Sequence, residues 1–203
     1  VAKEIITVDT KQLDRLTLEL KGFEKEVGEA AYHALRRTVD FVVTQVGRIV
    51  PKFYAIKATD VKNTLDKKYP TKSNLSAGIE SKRHTLSFYH FPHSPKVPQP
   101  PGRRYRVKAT IKRESGSQVV STTPKPFIAT LKGGINHVVR REGEERKPIV
   151  VLRTLSIPQM ITNEKVGDEI QKAAAEKFNE RLEHEIIRSM TSIQKSIQKS
   201  IRK

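Results

Sequence analysis

Apolar residues recur every three or four positions near both ends of the chain and every second position in its middle. Leu13, Leu16, Leu20, Phe23 and Val27 fall at helical spacing behind the capping candidates Asp9 and Thr10, with Gln12 three after Asp9 as in a capping box. Gly22 and Gly28 weaken or break that helix. A second stripe, Ala31, Leu35, Val39, Val42, Val46 and Ile49, predicts a helix from about Glu29 to Val50, closed by Pro51. The two helices should form a hairpin or lie side by side on a sheet. A short helix is expected from the N-cap Thr59 through Val61 and Leu65, ended by Tyr69-Pro70.

From Ser73 the period changes to two. Leu75, Ala77 and Ile79 predict one half-buried strand, and Leu86, Phe88 and His90 a second, paired as a hairpin across Lys82-Arg83-His84. The run 92–102, PHSPKVPQPPG, holds five prolines and predicts an extended loop without a packed core of its own. Tyr105, Val107, Ala109 and Ile111 then point one way while Arg104, Arg106, Lys108 and Lys112 point the other. PFIATL at 126–131, the Gly133-Gly134 turn and HVVRR at 137–141 read as a strand, tight turn and returning strand. A charged turn, GEERK, leads on to the apolar run Ile149 to Leu152. The middle of the chain thus reads as five or six antiparallel strands.

Pro158 cannot donate to a sheet ladder, so the last strand must stop near Ser156-Ile157-Pro158-Gln159-Met160. Behind it, with Asn163 as N-cap, Val166, Ile170, Ala174, Phe178, Leu182, Ile186 and Met190 follow at a strict spacing of four, then Ile193, Ile197 and Ile201. Four residues advance a helix by about 400°, so this stripe drifts by about 40° per step and must wrap a partner obliquely or meet a second surface. Phe178, Leu182, Ile186, Met190, Ile193 and Ile197 are therefore candidates for an inter-subunit helix face. The SIQK, SIQK, SIRK ending is thinly apolar, and a partner is expected to order it where anything does.

Composition narrows the function. The formal net charge is +17, and the cations concentrate in the middle: residues 51–150 hold twenty-one Lys and Arg against seven Asp and Glu. Such a concentration implies an anionic partner, either nucleic acid, a membrane surface or an acidic protein face. Arg103, Arg104, Arg106, Lys108, Lys112 and Arg113 form the candidate basic interaction face. The chain has no cysteine, which excludes disulfides, thiolate metal sites and thiol nucleophiles. No apolar run approaches the roughly 20 residues of a membrane span. VAKEIITVDT lacks the basic start and apolar core of a secretory signal, so a soluble protein in a cytoplasm-like setting is expected, with no membrane partner.

Catalytic patterns are sparse. His90 and His93 lie three apart without a third plausible ligand, so neither a metal nor another cofactor is expected. Gly133-Gly134 is too short for a phosphate loop. Glu80-Ser81-Lys82, with Asp60 or Asp66 upstream, imitates the carboxylate and lysine set of metal-dependent nucleases, but the pattern is short and common by chance. We expect no catalytic residues and no enzyme.

Several segments together resemble the minor tail protein Z family of tailed phages. They are Ala34-Leu35-Arg36-Arg37-Thr38, Thr44-Gln45-Val46-Gly47-Arg48, IKATDV at 56–61, the basic stretch Arg103 to Lys112, Pro126-Phe127-Ile128 and the SIPQM string at 156–160. The resemblance spans most of residues 30–185. It implies a structural virion protein that completes the head-proximal end of a tail and helps join it to the neck, after assembly in the host cytoplasm. It implies partners of the same kind: further copies in a ring, sixfold by analogy with tail symmetry, tail terminator or tail tube proteins, neck or head–tail connector proteins, and DNA passing through the lumen. The fold expected is α+β, with N-terminal helices packed on an antiparallel, mostly β middle region and a long C-terminal helix. Residues 1–162 would form the core domain and 163–203 a helical arm, with SIPQM as the assembly pivot setting the angle at which the arm leaves. The alternative is a free-standing nucleic-acid-binding protein using the basic strand face, and after it the nuclease.

Overall fold

The computed structural model describes residues 3–7, 24–81, 84–100, 102, 105–143 and 145–201. The elements in order are β1 (Lys3–Thr7), α1 (Glu24–Phe53), α2 (Ala58–Lys62), β2 (Leu65–Lys68), β3 (Gly78–Ser81), β4 (Thr85–Ser87), a 3-10 turn (Phe88–His90), β5 (His93–Ser94), β6 (Lys108–Ala109), β7 (Gln118–Val119), β8 (Phe127–Thr130), β9 (Asn136–Arg141), β10 (Ile149–Val151), β11 (Arg153–Ser156), α3 (Ile157–Ile161) and α4 (Glu164–Ile201). Along the chain an N-terminal helix is followed by several small antiparallel sheets and then a long C-terminal helix, the expected α+β class. The chain divides into two compact units that interleave in sequence. A helical unit comprises 2–46, 65–81 and 167–203, and a mixed unit comprises 47–64 and 82–166.

In the helical unit β3 is the centre of a three-stranded sheet, with β1 on one side and β2 on the other. β1 is continuous with a β-bulge between Glu4 and Ile6. The apolar stripe of α1 is buried as its spacing requires: Ala31, Leu35, Val39, Val42 and Val46 are all covered. Ile170, Ala174, Phe178 and Leu182 are covered along α4. The two helices run antiparallel, since Arg37 of α1 reaches Glu185 of α4 while Phe41 lies under the ammonium of Lys177. A helix beginning near residue 10 falls largely outside the described residues. Its last stripe member, Val27, belongs to α1, which runs through Gly28 without a break.

In the mixed unit three small sheets surround a cluster of Phe88, Val107, Ala109, Ile128 and Val138, with Ile111, Val120 and Leu152 packed against it. The sheets are β10-β9-β8, β5-β6-β7 and the pair β11-β4. β8 and β9 form the expected hairpin, and Gly133 and Gly134 take φ of +96° and +75°, values an L side chain rarely adopts. The X-Pro bonds at Ser94-Pro95, Thr123-Pro124 and Lys147-Pro148 are cis.

Four local expectations are corrected. Residues from Leu65 form strand β2, not the end of a helix, because pairing with β3 outweighs the local helical spacing. The expected hairpin across residues 82–84 does not form: β3 pairs with β1 and β2, whereas β4 pairs with β11. Part of the proline-rich run is strand, since His93 and Ser94 pair with Ala109 and Lys108. Pro51 does not close α1, which continues to Phe53. A proline at this depth removes one backbone donor, and only two residues of the helix remain beyond it.

Candidate functional site

The end of α1 shows how the basic segment is held. A helix terminus leaves its last carbonyl groups without intrahelical donors. Here Arg113 supplies two: its Nε donates to the Pro51 carbonyl at 2.6 Å and its backbone N–H to the Phe53 carbonyl at 2.9 Å. The Ala55 N–H donates to the Ile111 carbonyl at 2.8 Å, and Tyr54 bridges to Lys112. A cation at this end also meets the negative pole of the helix. Arg113, one of the six basic candidates, thus has a structural task.

The other basic candidates divide simply. Arg106, Lys108 and Lys112 are exposed, while Val107 and Ala109 are buried, so the alternation read from the sequence holds over this stretch. Tyr105, expected on the inner face, is 67 % exposed and does not join the core. The regular strand is only the pair Lys108–Ala109, shorter than the alternation. Arg103 and Arg104 lie outside the described residues.

The SIPQM string is built as a helix start. Ser156 is the N-cap of α3, its Oγ accepting from the Gln159 N–H while the Gln159 side chain accepts from the Ser156 N–H at 2.9 Å, the reciprocal capping box. Pro158 sits in the first turn, where its missing N–H costs nothing. Ile157, Pro158, Met160 and Ile161 are buried. The five residues taken as a pivot are therefore firmly anchored at their own end.

The candidate inter-subunit helix face is not uniform. Phe178 and Leu182 are buried within the helical unit, and Ile186, Met190 and Ile193 are half-buried. Ile187, at 60 %, and Ile197 and Ile201, at 52 % and 78 %, are open. Burial passes from Leu182 to Glu185 rather than to Ile186, a step of three that offsets the drift of the four-residue spacing. Glu185 is the residue that pattern reading missed. It is 3 % exposed, with Oε1 lying 3.6 Å from the Arg37 guanidinium and Oε2 3.5 Å from that of Arg188. Oε1 has charge contact but no hydrogen bond. Its signal was present only as an acid inside an apolar stripe.

Elsewhere in the helical unit acids and bases are paired. Asp40 accepts from Lys67 at 2.5 Å and from the Tyr69 hydroxyl at 2.7 Å, and the Arg36 guanidinium stacks 5.3 Å from the Tyr69 ring. The hydrogen bond from Lys67, and then that from Tyr69, hold the Asp40 carboxyl below its ordinary pKa; the same bond to Asp40 raises that of Lys67. Lys72 bonds Glu29 at 2.9 Å, which lowers the Glu29 pKa and raises its own.

The nuclease-like residues are engaged in other ways. Glu80 is ion-paired with Lys68, and Asp66 lies opposite Glu80 in the β2–β3 ladder. Asp60 is 3.0 Å from His90 Nδ1 in the other unit, and Lys82 lies outside the described residues. His93 Nδ1 contacts the Phe91 carbonyl oxygen at 2.9 Å. Among the described residues no group of three or more His, Asp or Glu is placed to hold a metal, and no helix is long and apolar enough to cross a membrane.

No match was found among curated proteins or among solved structures. A family model described as prophage minor tail protein Z (GPZ) matches residues 10–195, nearly the whole chain and every segment quoted for the resemblance. The chain belongs to the prophage minor tail protein Z family, and its role is that of a structural component of a phage tail.

Proposed function

We propose that the protein completes the head-proximal end of a phage tail as one subunit of a homo-oligomeric ring. Family membership supplies the tail. The observation that carries the ring is the far half of α4, where Ile187, Ile197 and Ile201 stay exposed although the helix continues to Ile201. An apolar stripe projecting in water is costly unless a second surface covers it, and a neighbouring subunit is such a surface. The ring is sixfold by analogy with tail symmetry, contacting tail terminator or tube proteins on one side and neck or connector proteins on the other. The exposed cations of Arg106, Lys108 and Lys112 would face DNA in the lumen or an acidic neighbour. SIPQM serves as the anchored pivot from which α4 departs.

Analytical ultracentrifugation of Ile197→Glu/Ile201→Glu tests the ring: the wild type should sediment as an oligomer and the variant as a monomer with unchanged circular dichroism. A variant that still forms the oligomer removes α4 from the interface. Pro158→Gly should leave the monomer folded and impair assembly. Electron microscopy of particles, with the chain located at the tail–neck joint or elsewhere, decides its position.

The second reading, a free-standing nucleic-acid-binding protein, is favoured by the same exposed cations. It requires salt-dependent DNA binding by the isolated monomer, abolished by charge reversal at Arg106, Lys108 and Lys112. Weak binding that survives this reversal counts against it.

A further inference from the structure

We propose that a groove in the mixed unit takes an extended acidic segment of a partner protein as an added β-strand. The groove has a volume of about 510 Å³ and is lined by residues 105–107, by much of the connection from β7 to β8, and by the adjoining ends of those two outer strands. Val119 of β7 and Phe127 of β8 are the strand residues that line it. Among the described residues each of these strands has a sheet neighbour on one side only, so alternate backbone N–H and C=O groups face away from the ladder. Such edges are templates for a further strand, and native chains commonly protect them.

The side chains state what the incoming strand should carry. Tyr105, Val119 and Phe127 give the groove apolar walls, while Arg106 and Lys125 are its charged members and no acid lines it among the described residues. Just beyond, the Arg141 guanidinium stacks 5.7 Å from the Phe127 ring, adding a third positive charge. A second hollow of about 80 Å³ shares Tyr105 and Phe127 and leads toward Pro95 and Gln99, so the depression is elongated. Side chains of a strand alternate in direction. A segment alternating acidic and apolar residues would set carboxylates against the cations and apolar groups against the walls. Nucleic acid would satisfy the charges but cannot complete a backbone ladder, which is why a peptide is the favoured occupant. The proposal concerns one unit of a single subunit and stands or falls independently of the ring.

The test is fluorescence anisotropy on the full chain with short labelled peptides. The peptides alternate Glu and Val, alternate Lys and Val, or repeat the Glu-Val sequence with alternate backbone nitrogens methylated. A thymidine oligonucleotide is the fourth probe. The Glu-Val peptide should bind, weakening by about tenfold or more in Arg106→Glu/Lys125→Glu. The methylated peptide should lose binding because it cannot donate to the sheet edge. Both substituted side chains are exposed, and unchanged circular dichroism would show that the variant folds. Equal binding of the Lys-Val peptide, equal binding of the methylated one, or preference of the same groove for the oligonucleotide would overturn the proposal. So would no binding at about 1 mM peptide, an affinity too weak for a recognition site.

Discussion

The mixed unit carries twenty-one Lys and Arg against six Asp and Glu, a net of +15, while the helical unit carries eighteen against sixteen, a net of +2. The difference extends to what the cations touch. In the helical unit Lys67, Lys68, Lys72, Lys177 and Arg37 each meet a carboxylate. In the mixed unit Arg113, Arg140, Arg141 and Arg153 donate to backbone carbonyl oxygens of Pro51, Thr123, Glu145 and Thr85. A carbonyl acceptor fixes the position of a guanidinium without cancelling its charge. The mixed unit is thus tied together by its arginines and still projects a positive field, whereas the helical unit neutralises itself pair by pair. One chain separates a surface suited to anionic neighbours from a scaffold of ordinary charge balance.

The comparison can be broken at several strengths. Phe178→Ala, in the fully buried stripe of α4, should cost about 3–5 kcal/mol. Hydrogen exchange should locate the loss in the helical unit, and equal loss of protection in the mixed unit would mean that the two do not behave separately. Arg37→Ala should cost about 1–3 kcal/mol, because it leaves Glu185 buried with less compensation. Arg140→Ala removes a bond to the Thr123 carbonyl and should cost less when the two variants are compared by urea titration. Equal costs would abolish the distinction between cations that compensate a buried acid and those that do not. Ser156→Ala should cost about 1 kcal/mol through the lost capping box, whereas Ser156→Asp, which keeps an acceptor, should recover most of it.

The smallest effect is in pH. The depressed Asp40 carboxyl contributes stability that is present above its unfolded pKa of about 3.9 and lost as pH falls through its lower folded value. Asp40→Asn should therefore lower the helical unit's stability slightly at neutral pH and flatten the acid limb of its stability curve, so that the two proteins converge below about pH 4. The carboxylate is half exposed, so the change is small. An acid limb unaffected by the substitution would show that the Lys67 and Tyr69 bonds contribute nothing in solution.

Much of this was legible in local pattern. The stripes of α1 and α4, the β8–β9 hairpin with its two glycines and the strand stop at Ser156 followed from spacing and turn chemistry within short windows. What escaped was set by residues distant in sequence. Leu65 and its neighbours become a strand only because β3 is available to pair with them, and β4 finds β11 nearly seventy residues away, joined by the bond from Arg153 to the Thr85 carbonyl. The site behaved likewise. Arg106, Lys108 and Lys112 were readable as an exposed face, but the task of Arg113 depends on a helix end that periodicity cannot bring near it. Glu185 escaped because an acid within an apolar stripe looks like an interruption until Arg37 is placed beside it.

The cap that Arg113 provides has a kinetic consequence. Its side chain closes α1 from 62 positions away in the sequence, so that contact carries the loop-closure entropy of a long segment. Most of α1 can form from neighbouring residues, but its last turn waits for the basic segment to arrive. The cap is therefore expected to form in the late part of the folding reaction, where a lost contact leaves the folding rate almost unchanged and raises the unfolding rate. In that sense the basic segment acts as a latch on a helix that is already built, and its removal would be felt in how long the native state lasts.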